Sequence, residues 1–307
     1  MGLHTISLEL ANCFGLRIKV SIILGVIMRV VSIVNMKGGV GKTTLAVNLA
    51  HSLSRRFDKS VLLVDLDPQF NATQCLFSGQ EYVEKRKAGG HTIVQIFRDT
   101  PTVMLDPIDG AIEVPNVKLE DVEPWSVEDG FDLIAGDLDL FRLDIGGGEG
   151  RERRLKRFLE KSDAAEHYDY VIIDTPPTPS HFMNSALLAS THYLVPVRPE
   201  PLSRVGIDLL QGVINRVTEN QGLSLTCVGV VVTIQDGRAK IVNRQARRYL
   251  DDDPFWSGKR FKASLPSRTV VARSQGKQEN ILDAGDSDSR LALTRITNEF
   301  LERVGDE

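Results

Sequence analysis

The residues best able to do chemistry stand in one run, Lys37-Gly38-Gly39-Val40-Gly41-Lys42-Thr43-Thr44. Its glycines let the backbone turn successive N–H groups inward, and lysines and hydroxyls flank them. Where a helix opens at Lys42-Thr43, its N-terminus adds positive potential, and the whole becomes a cradle for a polyphosphate. In such a cradle Lys42 reaches the β- and γ-phosphates and the Thr43 hydroxyl sits on Mg²⁺. A glycine-rich turn alone is weak evidence, so the reading depends on what flanks it.

The flanking elements are the required ones. Arg29–Asn35 reads as a short buried strand, and the helical pattern beginning at Thr43 puts Leu45, Leu49 and Leu53 on one face. Further apolar strands are expected at 60–67, 131–135, 170–174, 193–197 and 228–233, with helices around 151–162, 181–190, 202–217, 239–250 and 288–304. Buried strands alternating with helices predict an α/β fold: a single P-loop NTPase domain with a mainly parallel, twisted sheet and helices on both faces. That domain is expected over residues 28–305. Residues 80–130 are acidic, carry Pro101, Pro107, Pro115 and Pro124, and show no sustained period, so they read as a surface insertion. The Gly146–Gly150 run reads as a flexible joint before the helix at 151.

Composition removes several classes. The chain has 307 residues, is 42% hydrophobic and 25% charged, and carries a net charge of -4, so it is not basic overall. Cys13, Cys75 and Cys227 are scattered and form no CxxC, which leaves no zinc or iron–sulfur ligand set and fits reduced thiols in a cytoplasmic protein. Residues 14–34 are apolar but interrupted by Arg17, Lys19 and Arg29, and their longest clean stretch, 21–28, is far below the roughly 20 residues of a spanning helix. Residues 1–27 therefore read as an extension upstream of an internal start at Met28, with a peripheral membrane contact as the alternative. The terminal helix places Leu293, Ile296, Phe300 and Val304 on one stripe, but its polar side is of mixed charge and the chain ends in Asp306-Glu307. A helix packed on the core is expected there, and no stable membrane association.

The glycine loop departs from the general G-x-x-x-x-G-K-[ST] pattern. Met36 replaces the first glycine, and an extra lysine, Lys37, follows it. This resembles the deviant phosphate loop of the ParA/MinD family of ATPases. The similarity continues in Val64–Thr73 (VDLDPQFNAT), in Tyr170–Pro177 (YVIIDTPP), and in 195–200 and 229–233, which match later strands of the ParA branch. Four motifs recur in family order across roughly residues 28–305. Phe70 stands where the family commonly has glycine.

The resemblance implies roles. Lys37 would reach the nucleotide of a partner subunit, so that ATP is sandwiched in a homodimer. Lys42 and Mg²⁺ would stabilise charge on the transferred phosphoryl group. Asp67 is the candidate for orienting the attacking water, and Asp65 and Asp174 would support the magnesium shell together with Thr43. A strand-end aspartate can instead merely cap a helix. Three carboxylates at the C-terminal ends of neighbouring strands, where α/β folds bind ligands, favour the site.

Within the family, the nitrogenase and iron–sulfur carrier branches require cysteine ligands. The MinD branch requires a basic amphipathic C-terminus, and cobyrinate-type amidases an additional glutaminase domain for which the chain has no room. The ParA type remains, which implies an ATP-driven switch that binds nonspecific DNA, associates with the nucleoid when ATP-bound, and is stimulated by a ParB-like partner. Residues 238–273 hold ten basic residues against three aspartates, and Lys240, Arg244, Arg247 and Arg248 share one helix face. Ile241, Val242, Tyr249 and Leu250 are expected to bury that helix. The basic face would contact phosphates without reading bases; a solvated basic face is the bland alternative. A nucleotide-switched scaffold for an envelope or secretion complex, without DNA binding, is the rival function.

Overall fold

The computed structural model describes residues 4–11, 17–24, 28–98, 102–106, 110–114, 117–128, 130–145, 150–200, 203–235, 238–267 and 277–306. Arg268 and Arg273 of the basic segment, Cys13 and most of the Gly146–Gly150 run lie outside them.

Strands β1 (His4–Ala11) and β2 (Arg17–Leu24) pair antiparallel with each other and do not join the main sheet. Then follow β3 (Arg29–Ile33), α1 (Lys42–Phe57), β4 (Val61–Asp65), α2 (Asn71–Leu76), α3 (Gly79–Lys87) and α4 (Ile93–Phe97). A second small hairpin, β5 (Thr102–Asp106) and β6 (Gly110–Val114), precedes β7 (Trp125–Ser126), β8 (Asp132–Ile134) and α5 (Leu140–Ile145). The chain continues through α6 (Arg154–Lys161), α7 (Ala164–His167), β9 (Tyr170–Asp174), α8 (His181–Ala189), β10 (His192–Val197) and α9 (Ser203–Gln221). It ends with β11 (Thr226–Gln235), α10 (Lys240–Asp252), β12 (Arg260–Pro266) and a last helix, α11 (Ser287–Val304).

The main sheet has eight strands in the order β12-β11-β10-β3-β9-β4-β8-β7, parallel except for β7, which runs antiparallel to β8. Its central strands are buried on both faces, which is why they read as unbroken apolar runs. The pleat divides them. Val31, Ile33, Leu63, Tyr170 and Ile172 face a core closed by Leu45, Leu49 and Leu53 of α1 and Leu293, Ile296, Phe300 and Val304 of α11. Val30, Leu62, Val64, Val171 and Ile173 face the opposite core, built with α4, α6 and α8, which α9 and α10 extend toward the β12 edge. The terminal helix thus spends its apolar stripe on the core, as its mixed polar side predicts.

The stretch 80–130 is less of a surface insertion than its composition suggests. Ile93, Val94, Ile96 and Phe97 are fully buried, and Trp125 sits in the edge strand β7 against Phe77 and Tyr82. Glu81 and Glu84 lie in α3, one of several short elements here whose apolar positions are too few to register as a period. Among the described residues no helix is long and apolar enough to cross a membrane.

Candidate functional site

The glycine loop leaves the C-terminal end of β3 and feeds α1. Gly39 and Gly41 take φ of 69° and 82°, a left-handed backbone that glycine adopts without a Cβ penalty. Gly41 is the N-cap of α1, and no side chain caps it. With no side-chain cap, this helix N-terminus presents its positive end toward a ligand.

The loop is held from three sides. Asn35 donates to the Pro196 carbonyl at 2.7 Å and accepts from the Lys37 amide at 2.9 Å. Thr175 donates to Ile33 O at 2.7 Å, and Thr233 donates to Val40 O. Strands β3, β9 and β11 thus set the cradle through one polar side chain each, Asn35, Thr175 and Thr233, and β10 adds the Pro196 carbonyl. Lys42 is buried and donates to Lys37 O at 3.1 Å, curling over the loop. Burial lowers its pKa, and Asp174 and Asp67 oppose that shift.

The two strand-end aspartates are brought together by register: Asp65 of β4 lies opposite Asp174 of β9, which in turn lies opposite Ile33 of β3. Both are fully buried. Asp65 gives one oxygen to Thr73, accepting from its amide at 2.8 Å and its hydroxyl at 2.7 Å, and Thr73 Oγ1 in turn accepts from the Gly136 amide. The other Asp65 oxygen and both Asp174 oxygens have no hydrogen-bond partner. Burial pushes the Asp65 carboxyl up to about 7, against the pull of the Thr73 bonds. Burial, and then the charge of Asp65, raise Asp174 well above the usual carboxylate range, while Thr43 and Lys42 act the other way.

Buried carboxylate oxygens beside a lysine and a threonine hydroxyl suit a bound divalent cation. Among the described residues no three acidic, histidine or cysteine side chains converge to hold a metal unaided. The oxygens of Thr43, Asp65 and Asp174 fit Mg²⁺, which keeps waters and takes phosphate oxygens while using few protein ligands. Thr43 would supply the direct protein oxygen, with Asp65 and Asp174 behind it.

Asp67 is also buried and caps its own turn, accepting from the Gln69 amide at 2.9 Å. Two residues of this cleft hold strained backbones: Phe70 at φ 43° and Ile234 at φ 50°. Phe70 occupies the position where the resemblance leads one to expect glycine, and its conformation is the one glycine would serve.

Around the loop lies a cleft of about 1000 Å³, lined by Gly38, Gly39, Gly41, Lys42, Thr43, Thr44 and Asp67, with Phe70, Phe77 and Tyr82 on the far wall. Lys37 is not on that lining. Its ammonium is ion-paired with Glu200, whose second carboxylate oxygen accepts from Arg198 Nε at 2.8 Å. Glu200, Thr73, Asn35 and Thr233 were missed as functional residues. Thr73, Glu200 and Thr233 stand inside the quoted motifs and Asn35 just before the glycine loop, but nothing in their types announced the partner each would find.

The basic helix is only partly as expected. Lys240, Arg244 and Arg248 are exposed along α10, but Arg247 is half-buried, its Nη2 donating to Gln235 at 3.3 Å. Of the residues expected to bury α10, Leu250 does so, but Ile241 is 73% exposed and Asn243 takes an inward position. The helix lies over the edge strand β12, so less of its circumference is covered than in a helix central to the sheet. Two further cations of the segment are engaged elsewhere: Arg260 pairs with Asp251, and Lys259 sits 3.8 Å from the Phe255 ring centroid.

Comparison with known proteins agrees with this geometry. Residues 28–227 match a family model described as an AAA domain. The chain is 32% identical to the sporulation initiation inhibitor protein Soj of Bacillus subtilis over 81% of its own length and 89% of that protein's. It is 30% identical to the chromosome partitioning protein ParA of Caulobacter vibrioides, covering 91% and 96% of the two chains. Among solved structures it superposes on cobyrinic acid a,c-diamide synthase of Mycobacterium smegmatis, crystallised with an ATP analogue and magnesium, with a TM-score of 0.67 at 23% identity over 91% and 96% of the chains.

Proposed function

The chain belongs to the ParA/MinD-type P-loop ATPases, and on that premise we propose that it is a partitioning or positioning switch driven by ATP and Mg²⁺. The single observation that carries the nucleotide reading is the set of buried, unpartnered oxygens on Asp65 and Asp174 beside Lys42 and an uncapped helix N-terminus. Bound Mg²⁺ would draw charge from the β- and γ-phosphates. Lys42 neutralises the same oxygens, and the loop amides hold them in place. Thr43 would hold the metal through its hydroxyl, and Asp65 and Asp174 would support its outer shell. Asp67 accepts a proton-side hydrogen bond from the attacking water and aims it in line.

In this reading Lys37 completes the site of a second copy, so that ATP closes a homodimer. The dimer binds nonspecific duplex DNA through Lys240, Arg244 and Arg248, with Arg247 at the margin. This keeps the ATP-bound form of a cytoplasmic protein on the nucleoid until a ParB-like partner stimulates hydrolysis and releases it. The partitioning names of the relatives and the exposed cations of α10 support this over a scaffold without DNA affinity.

The test measures binding to random-sequence duplex DNA with ATP, with ADP and without nucleotide, following the dimer fraction in parallel. Binding that requires ATP, weakens steeply with salt, and is lost with dimerisation in Lys37→Ala is the expected result. ATP-driven dimers that ignore DNA at low salt would instead favour the scaffold.

A further inference from the structure

Lys37 is the one basic residue of the glycine loop whose ammonium points away from the cleft, and the reason is local. Its amide is tied to Asn35 Oδ1 at 2.9 Å, and Asn35 is itself tied to Pro196 at the end of β10. The chain leaving β10 brings Glu200 onto the Lys37 ammonium, and Arg198 holds the other Glu200 oxygen at 2.8 Å. The start of α9 closes over this group: a Cβ on Gly206 would stand 3.7 Å from both Asn35 Oδ1 and Lys37 Cβ. Glu200, itself held by Arg198, and the first turn of α9 at Gly206 thus both stand against this one lysine.

We propose that Glu200 is a positioning residue for Lys37, holding its ammonium off the phosphate cleft so that release of this ion pair precedes closure on a second copy of the chain. The proposal rests on the reading that Lys37 serves the partner's nucleotide. Lys37 and Glu200 keep side-chain exposures of 31% and 33%. An ion pair so exposed shifts an equilibrium by no more than about fivefold. It is weak enough for a partner's triphosphate to displace, and strong enough to set the threshold at which dimers form. The hydrogen bond from Lys37 is also what chiefly holds the Glu200 carboxyl below its usual range.

The experiment compares wild type, Glu200→Gln, Glu200→Asp and Lys37→Ala, full-length, by sedimentation with Mg²⁺ and a non-hydrolysable ATP analogue. Two pairs open per dimer, so Glu200→Gln is expected to tighten dimerisation by about three- to twentyfold. Analogue affinity in dilute monomer should be unchanged. The gain should shrink as salt rises, because screening already weakens the wild-type pair, and Glu200→Asp should restore wild-type behaviour. A purely structural role would not produce a salt-dependent gain. Unchanged or weaker dimerisation in Glu200→Gln, with Lys37→Ala still defective, overturns the latch alone. Wild-type dimerisation in Lys37→Ala overturns the reading of Lys37 beneath it, and the latch with it.

Discussion

Phe70 and Ile234 border the phosphate cleft with backbones in the left-handed region, where a side chain costs about 1–2 kcal/mol. Such strain persists where surrounding contacts over-determine it, and it gathers at ligand sites. At Phe70 the compensation is visible: its ring stacks on Tyr82 at 5.4 Å, and its Cβ would lie 2.5 Å from a Cβ on Gly136, so the two residues interlock. Phe70→Gly should therefore leave stability within about 1 kcal/mol of wild type, the relieved backbone offsetting the lost ring. Phe70→Val, β-branched at the same φ, should cost about 2 kcal/mol or more. Urea unfolding of both variants checks the difference, and equal losses would mean that backbone strain is not what distinguishes this position. Cys75 offers a second test. Burial, with Asp65 and Asp174 nearby, pushes its thiol up to about 12. The folded chain keeps that proton longer than the unfolded one, so the thiol subtracts stability as pH rises from its ordinary value through the folded one. In a Cys13→Ser, Cys227→Ser background, iodoacetamide at mildly alkaline pH should label Cys75 only after denaturant is added. The glycine loop and the aspartates were legible because each sits in a short contiguous pattern. The Phe70 conformation was foreshadowed only by the glycine that the resemblance leads one to expect there.

At the scale of elements, the helices divide by where they lie on the sheet. Helix α1 shows a clean apolar face because it crosses the centre of the sheet and α11 covers its other side. Helix α10, at the β12 edge, exposes Ile241 and turns Arg247 inward, so its basic stripe is Lys240, Arg244 and Arg248. Helix α6 is a natural control, since Lys156 and Arg157 are exposed on it while Leu155, Phe158 and Leu159 are buried. If DNA is bound through α10, alanine at Lys240, Arg244 and Arg248 should lower the slope of log affinity against log salt by about 2–3. ATP binding should survive. Alanine at Lys156 and Arg157 should change the slope far less, and equal effects from the two helices would mean that overall charge, not this face, governs binding. The residue types of α10 were readable in advance; its rotation was not, because periodicity says which residues share a face but not which neighbour covers it.

At the scale of the whole molecule, the start of β3 and the end of α11 close on each other. Arg29, at the start of β3, donates to Val304 O at 2.9 Å and to Gly305 O at 3.0 Å, while Asp306 accepts from Tyr170 at 2.7 Å and pairs with Lys59 at 2.8 Å. Phe300 lies behind these contacts, fully buried, with its ring 5.7 Å from that of Tyr170. Phe300→Ala should cost about 3–5 kcal/mol in unfolding free energy, because the packed site around it cannot collapse into the cavity. Nucleotide affinity of the folded fraction should hardly change, since the phosphate site stands at the opposite end of β9. A loss below about 1 kcal/mol would show that α11 is not part of the cooperative core. What the amino-acid sequence determined alone is whatever depends on neighbours a few residues apart: the glycine loop, the buried strands, the helix stripes and the strand-end position of each aspartate. Only the tertiary structure decided that Asp65 meets Asp174, that Thr73 takes one Asp65 oxygen, that Ile93–Phe97 is core, and that Lys37 rests on Glu200. Those pairings join residues that strand order and register bring together, and neither is written in any local pattern.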